Sequence, residues 1–370
     1  MDKIIFGITG LTLGGAERVL VDISNELCSK YEITIFTLYA NGELEKELNT
    51  KIKLKSLYNF RYNDMSKAKK IITPLKVLLT SKKIFKKYVK DEEYKAQIAF
   101  LEGPITRIFK YKSNATRIAW VHNDISKVFG RGLKSKIKRI FDRNVYEKYD
   151  KLVFVSISNL DKFNKVYDDM LLPKEKVINN YIDASRIIKL SKEPLNASIE
   201  GDTTFLQVSR LVPQKAIDRL IKVHSKLVNE GYNHKIYIIG DGPEREKLQK
   251  LIEEENVKDT FILLGAKKNP YKYIVKADFF CLFSAFEGYP MVLEEAKILH
   301  KYILATNTSS REVLVNYPKN SYITENSEEG IYKALKKAIN EKNKLLKLEN
   351  SFEYNSNKII EKIEKTIEEQ

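Results

Sequence analysis

Two glutamates eight positions apart carry the strongest chemical signal in this sequence. Glu287 leads through Gly288, Tyr289, Pro290, Met291 and Val292 to Glu294 and Glu295. The apolar run Phe279 to Phe283 reads as a strand, and Glu294 to Leu299 reads as a helix. Glu287 is therefore expected in the loop after a strand and Glu295 in the first turns of a helix. A carboxylate has the lone pairs to accept from paired hydroxyls such as those of a ribose or hexose. The backbone between Gly288 and Val292 falls where a helix start presents N–H donors to a phosphate or sugar hydroxyl. Taken alone, Glu287 would serve as a helix cap and Glu295 as part of a solvated face. The segment Ser209 to Ala216 shifts the balance toward function. It follows the strand Phe205 to Val208, and its Arg210 and Lys215 flank a short turn. A forked guanidinium and a compact ammonium together suit a diphosphate. No carboxylate cluster of metal-ligand spacing lies nearby, so these cations would replace a divalent ion in stabilising a leaving phosphate. No metal and no other cofactor is expected.

Positioning such loops requires strands that end where the chemistry begins. The chain opens with the strand Ile4 to Ile8, the turn Leu13-Gly14-Gly15, and a helical face of Val19, Leu20, Ile23 and Leu27, followed by the strand Ile33 to Leu38. Later strands are expected at Ala96 to Phe100, Arg117 to Val121 and Lys151 to Val155. The theme repeats beyond residue 200. Strands are expected at 205–208, 235–239, 261–264, 279–283 and 302–305. Helices are expected at 216–228, 244–254, 271–275 and 294–299. Alternating strands and helices imply parallel α/β sheets. The fold class expected is thus α/β, with two facing Rossmann-like domains and a ligand cleft at their strand ends. The polar stretch 183–201 contains Pro194 and lacks a strong period. The expected divisions are residues 1–185, 186–350, and a closing helical segment, 351–370, free to pack back on the first domain. Histidine 122 follows Trp120 and Val121 at a strand end, where it is either structural or a cleft residue.

Composition narrows the function classes. The chain has 370 residues, too many for one ordinary core. Its two cysteines, Cys28 and Cys281, have no metal or redox spacing. No apolar run reaches the roughly 18 residues of a spanning helix, and no signal peptide is evident at the start. The net charge of +16 is uneven. Residues 1–190 hold 37 Lys and Arg against 22 Asp and Glu, a net of +15, and the remainder is nearly balanced. Such asymmetry points to a polyanionic partner of the first half. Residues 61–90 carry ten Lys and Arg and one acid, with Ile71, Leu75, Leu78, Leu79, Phe85 and Val89 in a helical stripe that Pro74 interrupts. A second basic run, Arg131 to Arg143, includes Ile137, Ile140 and Phe141. Basic amphipathic helices lie on anionic bilayers, although core-facing helices with solvated lysines would look the same. No nucleic-acid-binding pattern is present, so no nucleic-acid partner is expected.

In order along the chain stand Gly14-Gly15-Ala16-Glu17-Arg18, Trp120 to Asp124, Asn179 to Asp183, Ser209-Arg210 to Lys215, Gly240-Asp241-Gly242-Pro243-Glu244 and Glu287 to Glu295. With these motifs the chain resembles the retaining glycosyltransferases of family four, of the bacterial surface-polysaccharide type, which have the GT-B fold. The resemblance implies transfer of a hexose or N-acetylhexosamine, with retention and without a metal. The donor would be a nucleotide diphosphate sugar, by default UDP-linked, and the acceptor a saccharide; the two basic helical segments would dock the first domain on the cytoplasmic face of the cell membrane and steer it to an acceptor linked to a lipid diphosphate. It assigns His122, Arg210, Lys215 and Glu287 to catalysis. It assigns Gly15, Gly265, Ala266, Gly288, Tyr289, Pro290, Met291, Val292 and Glu295 to the donor, alongside Arg210, Lys215 and Glu287. Gly265 and Ala266 would meet the base and Glu295 the ribose. Three segments depart from the family pattern: Tyr181 and Ala216 stand where glycine is usual, and Ser309-Ser310 replaces a glycine pair. A phosphorylase or nucleotide-sugar epimerase on the same fold, or a silent nucleotide- or membrane-binding partner subunit, are the alternatives.

Overall fold

Parallel strands buried on both faces need near-continuous apolar runs, and the segments with such runs form the centres of two sheets. The computed structural model describes the chain apart from residues 91, 126–132, 168–173, 196–198 and 370 and the side chains of residues 63, 67, 71 and 133–137. One compact unit comprises Met1–Ile182 with Asn355–Gln370, and a second comprises Asp183–Tyr354.

The first unit contains β1 (Lys3–Ile8), β2 (Glu32–Tyr39), β3 (Lys53–Tyr58), β4 (Ala96–Ala99), β5 (Thr116–Val121), β6 (Lys151–Phe154) and β7 (Lys174–Val177). They form one parallel sheet in the order β3-β2-β1-β4-β5-β6-β7. The second unit contains β8 (Thr204–Val208), β9 (Lys235–Ile239), β10 (Phe261–Gly265), β11 (Phe279–Leu282), β12 (Tyr302–Thr306) and β13 (Ser321–Thr324), in the order β10-β9-β8-β11-β12-β13. Both orders reverse direction once, between β1 and β4 and between β8 and β11. At such a switch point the loops leaving the carboxyl ends of two neighbouring strands diverge and open a ligand crevice. The loops in question begin at Thr9 and Phe100 in the first unit and at Ser209 and Phe283 in the second.

Three strands escape the sequence reading: β3, β7 and β13. All three lie at sheet edges. An edge strand pairs on one side only and carries lysines that discourage further pairing, so Lys53-Leu54-Lys55 and Lys174-Glu175-Lys176 show no apolar run. The stretch 183–201 is also corrected. Ala184–Ser191 is a helix, capped by the Asp183 carboxylate accepting from Arg186 N at 2.9 Å and anchored by fully buried Ile187. The helix after Glu287 starts at Met291 rather than Glu294. Lys67–Phe85 runs as one helix through Pro74.

A buried imidazole pair ties the second unit together. His234 Nδ1 lies 2.9 Å from the Tyr232 carbonyl and must donate to it. Its Nε2 is then an acceptor for His224 Nδ1 at 2.8 Å, and His224 Nε2 in turn accepts from Thr260 Oγ1 at 2.8 Å. All four ring nitrogens are thus engaged within the unit, and a second proton on either ring would be a charge held in this buried position. Burial, joined by the neighbouring His234, pulls the His224 pKa from 6.5 down to about 3. Burial also lowers His234, against the opposing pull of the Tyr232 carbonyl. A base whose folded pKa is depressed stabilises the fold fully above its unfolded pKa, and that stability is lost as pH falls toward the folded value. The second unit should therefore lose about 1.4 kcal/mol per pH unit from His224 alone below pH 6.5. Urea midpoints measured from pH 7 to pH 4 test this: His224→Gln should flatten the slope, and an unchanged slope would remove the imidazole from the account.

Candidate active site

At the switch point of the second sheet, the loop after β8 closes as a short 3-10 turn over Pro213–Lys215. Ala216 then adopts φ +46°, ψ +41°. This left-handed conformation is free for glycine and costs alanine about 1–2 kcal/mol. Ala216 holds this conformation at the start of the helix Ile217–Asn229. Gly240, at φ +145°, makes the neighbouring loop possible: a Cβ there would stand 1.8 Å from the Ser209 carbonyl oxygen. The loops after β8 and β9 can thus lie against each other only with glycine at this position.

The loop after β11 meets that turn. Ala285 N donates to the Gln214 carbonyl at 2.9 Å, and Gln214 Nε2 donates to the Phe286 carbonyl at 2.9 Å. These bonds place Lys215 Nζ 2.6 Å from Glu287 Oε1, with Glu287 buried. The two residues assigned separately to phosphate and sugar are thus one ion pair. Arg210 stands exposed five residues earlier, and its guanidinium makes no hydrogen bond or ion pair to the described residues. Downstream, Gly288 to Pro290 lead into the helix Met291–Ile298. Glu295, in its second turn, accepts from Tyr271 Oη at 3.2 Å. Gly265 closes β10 at φ +73° with its carbonyl accepting from Gly240 N at 3.0 Å, and Ala266 beside it is exposed.

Sequence reasoning took Glu294 as one more helical glutamate, but it is buried. It accepts from Tyr289 Oη at 2.8 Å and pairs with Lys297 Nζ at 2.9 Å. Lys297 is buried too and donates to the Val313 carbonyl and to Asn316 Oδ1, both at 2.8 Å, beneath the Phe352 ring. Tyr289, in the loop between Glu287 and Glu295, is therefore fixed by a buried network. The i, i+3 pairing of opposite charges was legible, but its burial was not.

Gly15 and His122 belong to the first unit. Gly15 is the first residue of the helix Gly15–Leu27, exposed, and a Cβ there would meet nothing within 4 Å. Neither packing nor a positive φ calls for glycine at this position. His122 follows β5. Its backbone N–H and that of Asn123 both donate to Glu102 Oε1, at 2.5 and 2.7 Å, and Asn123 Nδ2 donates to Glu102 Oε2 at 2.8 Å. Glu102 leaves the carboxyl side of β4, at the switch point, and grips the start of the next loop. Sequence reading missed it, although Glu102-Gly103-Pro104 directly after a strand was the available signal. Burial holds the His122 pKa near 3, so its imidazole is neutral at physiological pH. Its Nε2 is shut off from solvent and has no hydrogen-bond partner among the described residues. A neutral ring with an unused nitrogen suits a hydroxyl partner better than an anionic one.

The model of the family described as glycosyl transferases group 1 matches residues 191–359. An uncharacterised glycosyltransferase of Methanocaldococcus jannaschii is 29% identical over 303 residues, covering 77% of this chain and 71% of that protein. The N-acetylgalactosamine-N,N'-diacetylbacillosaminyl-diphospho-undecaprenol 4-alpha-N-acetylgalactosaminyltransferase of Campylobacter jejuni is 26% identical over 347 residues, covering 91% and 90%. Among solved structures, HepE of Anabaena in complex with UDP superimposes with a TM-score of 0.75 at 16% identity, covering 99% of both chains.

Proposed function

From the premise that this chain is a glycosyltransferase of the GT-B fold, with a glycosyl transferases group 1 segment at residues 191–359, we propose that it transfers a hexose or N-acetylhexosamine from a nucleotide diphosphate sugar to a saccharide in surface-polysaccharide assembly. The observation that carries this reading is the Lys215–Glu287 pair at the switch point of the second sheet. Lys215 has three protons and uses one on Glu287. The other two, with the unpaired Arg210 guanidinium, are for the donor diphosphate. Glu287 keeps lone pairs for the hydroxyls of the transferred sugar, Glu295 takes the ribose, and the backbone at Gly265 and Ala266 borders the base. His122 is assigned to a sugar hydroxyl through the partly exposed part of the residue rather than through the enclosed Nε2. Charge on the departing phosphate is neutralised by Arg210 and Lys215 without a metal, and transfer proceeds with retention. UDP is the preferred nucleotide, as HepE was solved with UDP, and a lipid-diphosphate acceptor follows the chemistry named for the Campylobacter relative.

A thermal-shift series with UDP, GDP and ADP, each with and without EDTA, tests the donor reading. One nucleotide at a hundred times its Kd should stabilise the native state by about 2.7 kcal/mol, undiminished by EDTA. Loss of the shift in EDTA would overturn the metal-free reading, and no shift with any nucleotide would overturn the donor site.

Membrane contact belongs to the same proposal. No helix among the described residues is long and apolar enough to cross a bilayer. On the helix Lys67–Phe85, however, only Val77, Ile84 and Phe85 among the described apolar side chains are buried, whereas Ile72, Leu75, Leu78 and Leu79 are exposed beside Lys76, Lys82 and Lys83. Ile140 and Phe141 are likewise exposed on the helix Leu133–Tyr146. Arg131 and the side chains of Ile71 and Ile137 lie outside the described residues. Exposed aliphatics among lysines favour a lipid surface over the core-facing alternative. Vesicles rich in phosphatidylglycerol should carry the protein in flotation at low salt, and Leu75→Ser with Leu79→Ser should leave it at the bottom of the gradient. Flotation unaffected by these changes would remove this helix from the contact.

A further inference from the structure

The first unit exposes a group of aromatic rings that the donor chemistry does not use. Tyr39 and Tyr58 are register partners at the carboxyl ends of β2 and β3. Their rings stack at 5.7 Å and 25°, and Phe60 stacks on Tyr58 at 5.4 Å and 26°. Tyr62 stands edge-on to Tyr39 at 5.4 Å, with Lys70 Nζ 5.3 Å from its ring centre. The residues are close in sequence: Tyr58, Phe60 and Tyr62 alternate with Asn59 and Arg61 where the chain leaves β3 and enters the 3-10 turn Tyr62–Asp64. Tyr39 is buried, while Phe60 and Tyr62 are 38% and 42% exposed. The inner rings are a base, and the outer two are presented to solvent.

The place of this cluster is also fixed. A Cβ on Gly10 would lie 3.3 Å from the Tyr39 carbonyl oxygen, and one on Gly42 would lie 2.3 Å from the Leu11 carbonyl oxygen. Leu44 N donates to that same Leu11 carbonyl at 2.9 Å. The loop after β2 is thus packed on the loop after β1, which leads to Gly15. The rings accordingly flank the strand ends of the first sheet, where open α/β sheets take their ligands.

We infer that Phe60 and Tyr62 form a stacking platform for a pyranose ring of the saccharide acceptor. Pyranoses present an apolar face of C–H groups and a rim of hydroxyls. An aromatic face covers the former, and the polar groups alongside, the Arg61–Glu43 pair at 3.4 Å and Lys70, can hydrogen-bond the latter. The occupant is a sugar rather than a lipid because the presented group is wholly aromatic with a charged rim, whereas the lipid-suited surface of the adjacent helix is aliphatic. The inference rests on the glycosyl-transfer reading for the identity of the occupant only.

Saturation-transfer NMR on the full chain with methyl N-acetyl-α-D-galactosaminide tests it, with the UDP thermal shift as an independent control. The wild type should transfer saturation to the ring C–H protons of the sugar. The double variant Phe60→Ala, Tyr62→Ala should weaken binding by about tenfold, and Phe60→Tyr should retain it, with the UDP shift unchanged in all three. Undiminished transfer in the double variant, or none in the wild type, overturns the platform. So does a double variant that keeps its sugar signal and loses vesicle binding, which would make the rings lipid-facing. Sugar binding lost in the double variant without any UDP shift in the wild type would instead refute the donor reading and leave the platform standing.

Discussion

Lys215→Ala should lower the turnover of sugar transfer by about 100- to 1,000-fold, the usual effect of deleting one preorganised donor from a site where negative charge develops. The structure adds a second consequence. Lys215 Nζ sits 2.6 Å from Glu287, whose carboxylate is buried. Removing the ammonium leaves that carboxylate without its counter-charge, at a cost of about 1–3 kcal/mol to the second unit. Steady-state kinetics on Lys215→Ala therefore need the companion Lys215→Met, Glu287→Gln, which replaces the pair by neutral groups of similar volume. If the lysine acts on the leaving phosphate, the companion recovers the melting temperature and stays inactive. Near-normal turnover in Lys215→Ala would eliminate the catalytic role. Recovery of turnover in the companion would reduce the pair to a structural one.

Ending the chain at Tyr354 should cost the first unit most of its stability, although the deleted helix comes last in sequence. The helix Ser356–Glu368 buries Ile360, Ile363 and Ile367 against that unit. Each such side chain contributes about 1.5–3 kcal/mol, against a total stability of about 5–15 kcal/mol for a domain. The electrostatics point the same way. Lys151, at the start of β6, is buried and donates to the carbonyls of Thr366 at 2.7 Å and of Glu369. Lys176 pairs with the Glu369 carboxylate, Lys30 with Glu364 at 2.7 Å, and Tyr31 Oη donates to Glu368 at 2.9 Å. Truncation strips the buried Lys151 ammonium of its acceptors along with the apolar cover. The expected result is a melting temperature for the first unit lower by about 10–20 °C, or no soluble protein. Lys151→Met in the full chain should give only a small part of that loss. A truncated chain melting within two or three degrees of the full one would show that the helix is an ornament of the fold.

Much of this was legible in the residues. Central strands such as Ile4 to Ile8 and Phe279 to Phe283 are apolar because both faces are covered. Their ends located the loops holding Arg210, Lys215 and Glu287. The strands that could not be read, Lys53–Tyr58, Lys174–Val177 and Ser321–Thr324, are at the edges, where half the pairing and half the burial that give a strand its signature are missing. The alanine at 216 looked like a departure from the turn expected there. Its backbone nonetheless takes the left-handed form, because the surrounding loop bonds determine that conformation and the side chain pays only a modest strain.

Local pattern by itself determined the central strands, most of the helices that alternate with them and the identity of the charged loop residues, since periodicity and turn chemistry are properties of short segments. Pairing and burial were decided only in three dimensions. That Lys215 neutralises Glu287, that Glu294 and Lys297 are sealed together behind Tyr289, that Glu102 grips the backbone at His122, and that Lys151 caps a helix more than two hundred residues away all depend on contacts between distant segments. A charged side chain reads the same in sequence whether it faces water or a partner. Its desolvation, and hence its chemistry, is settled by which distant group arrives beside it when the sheets close.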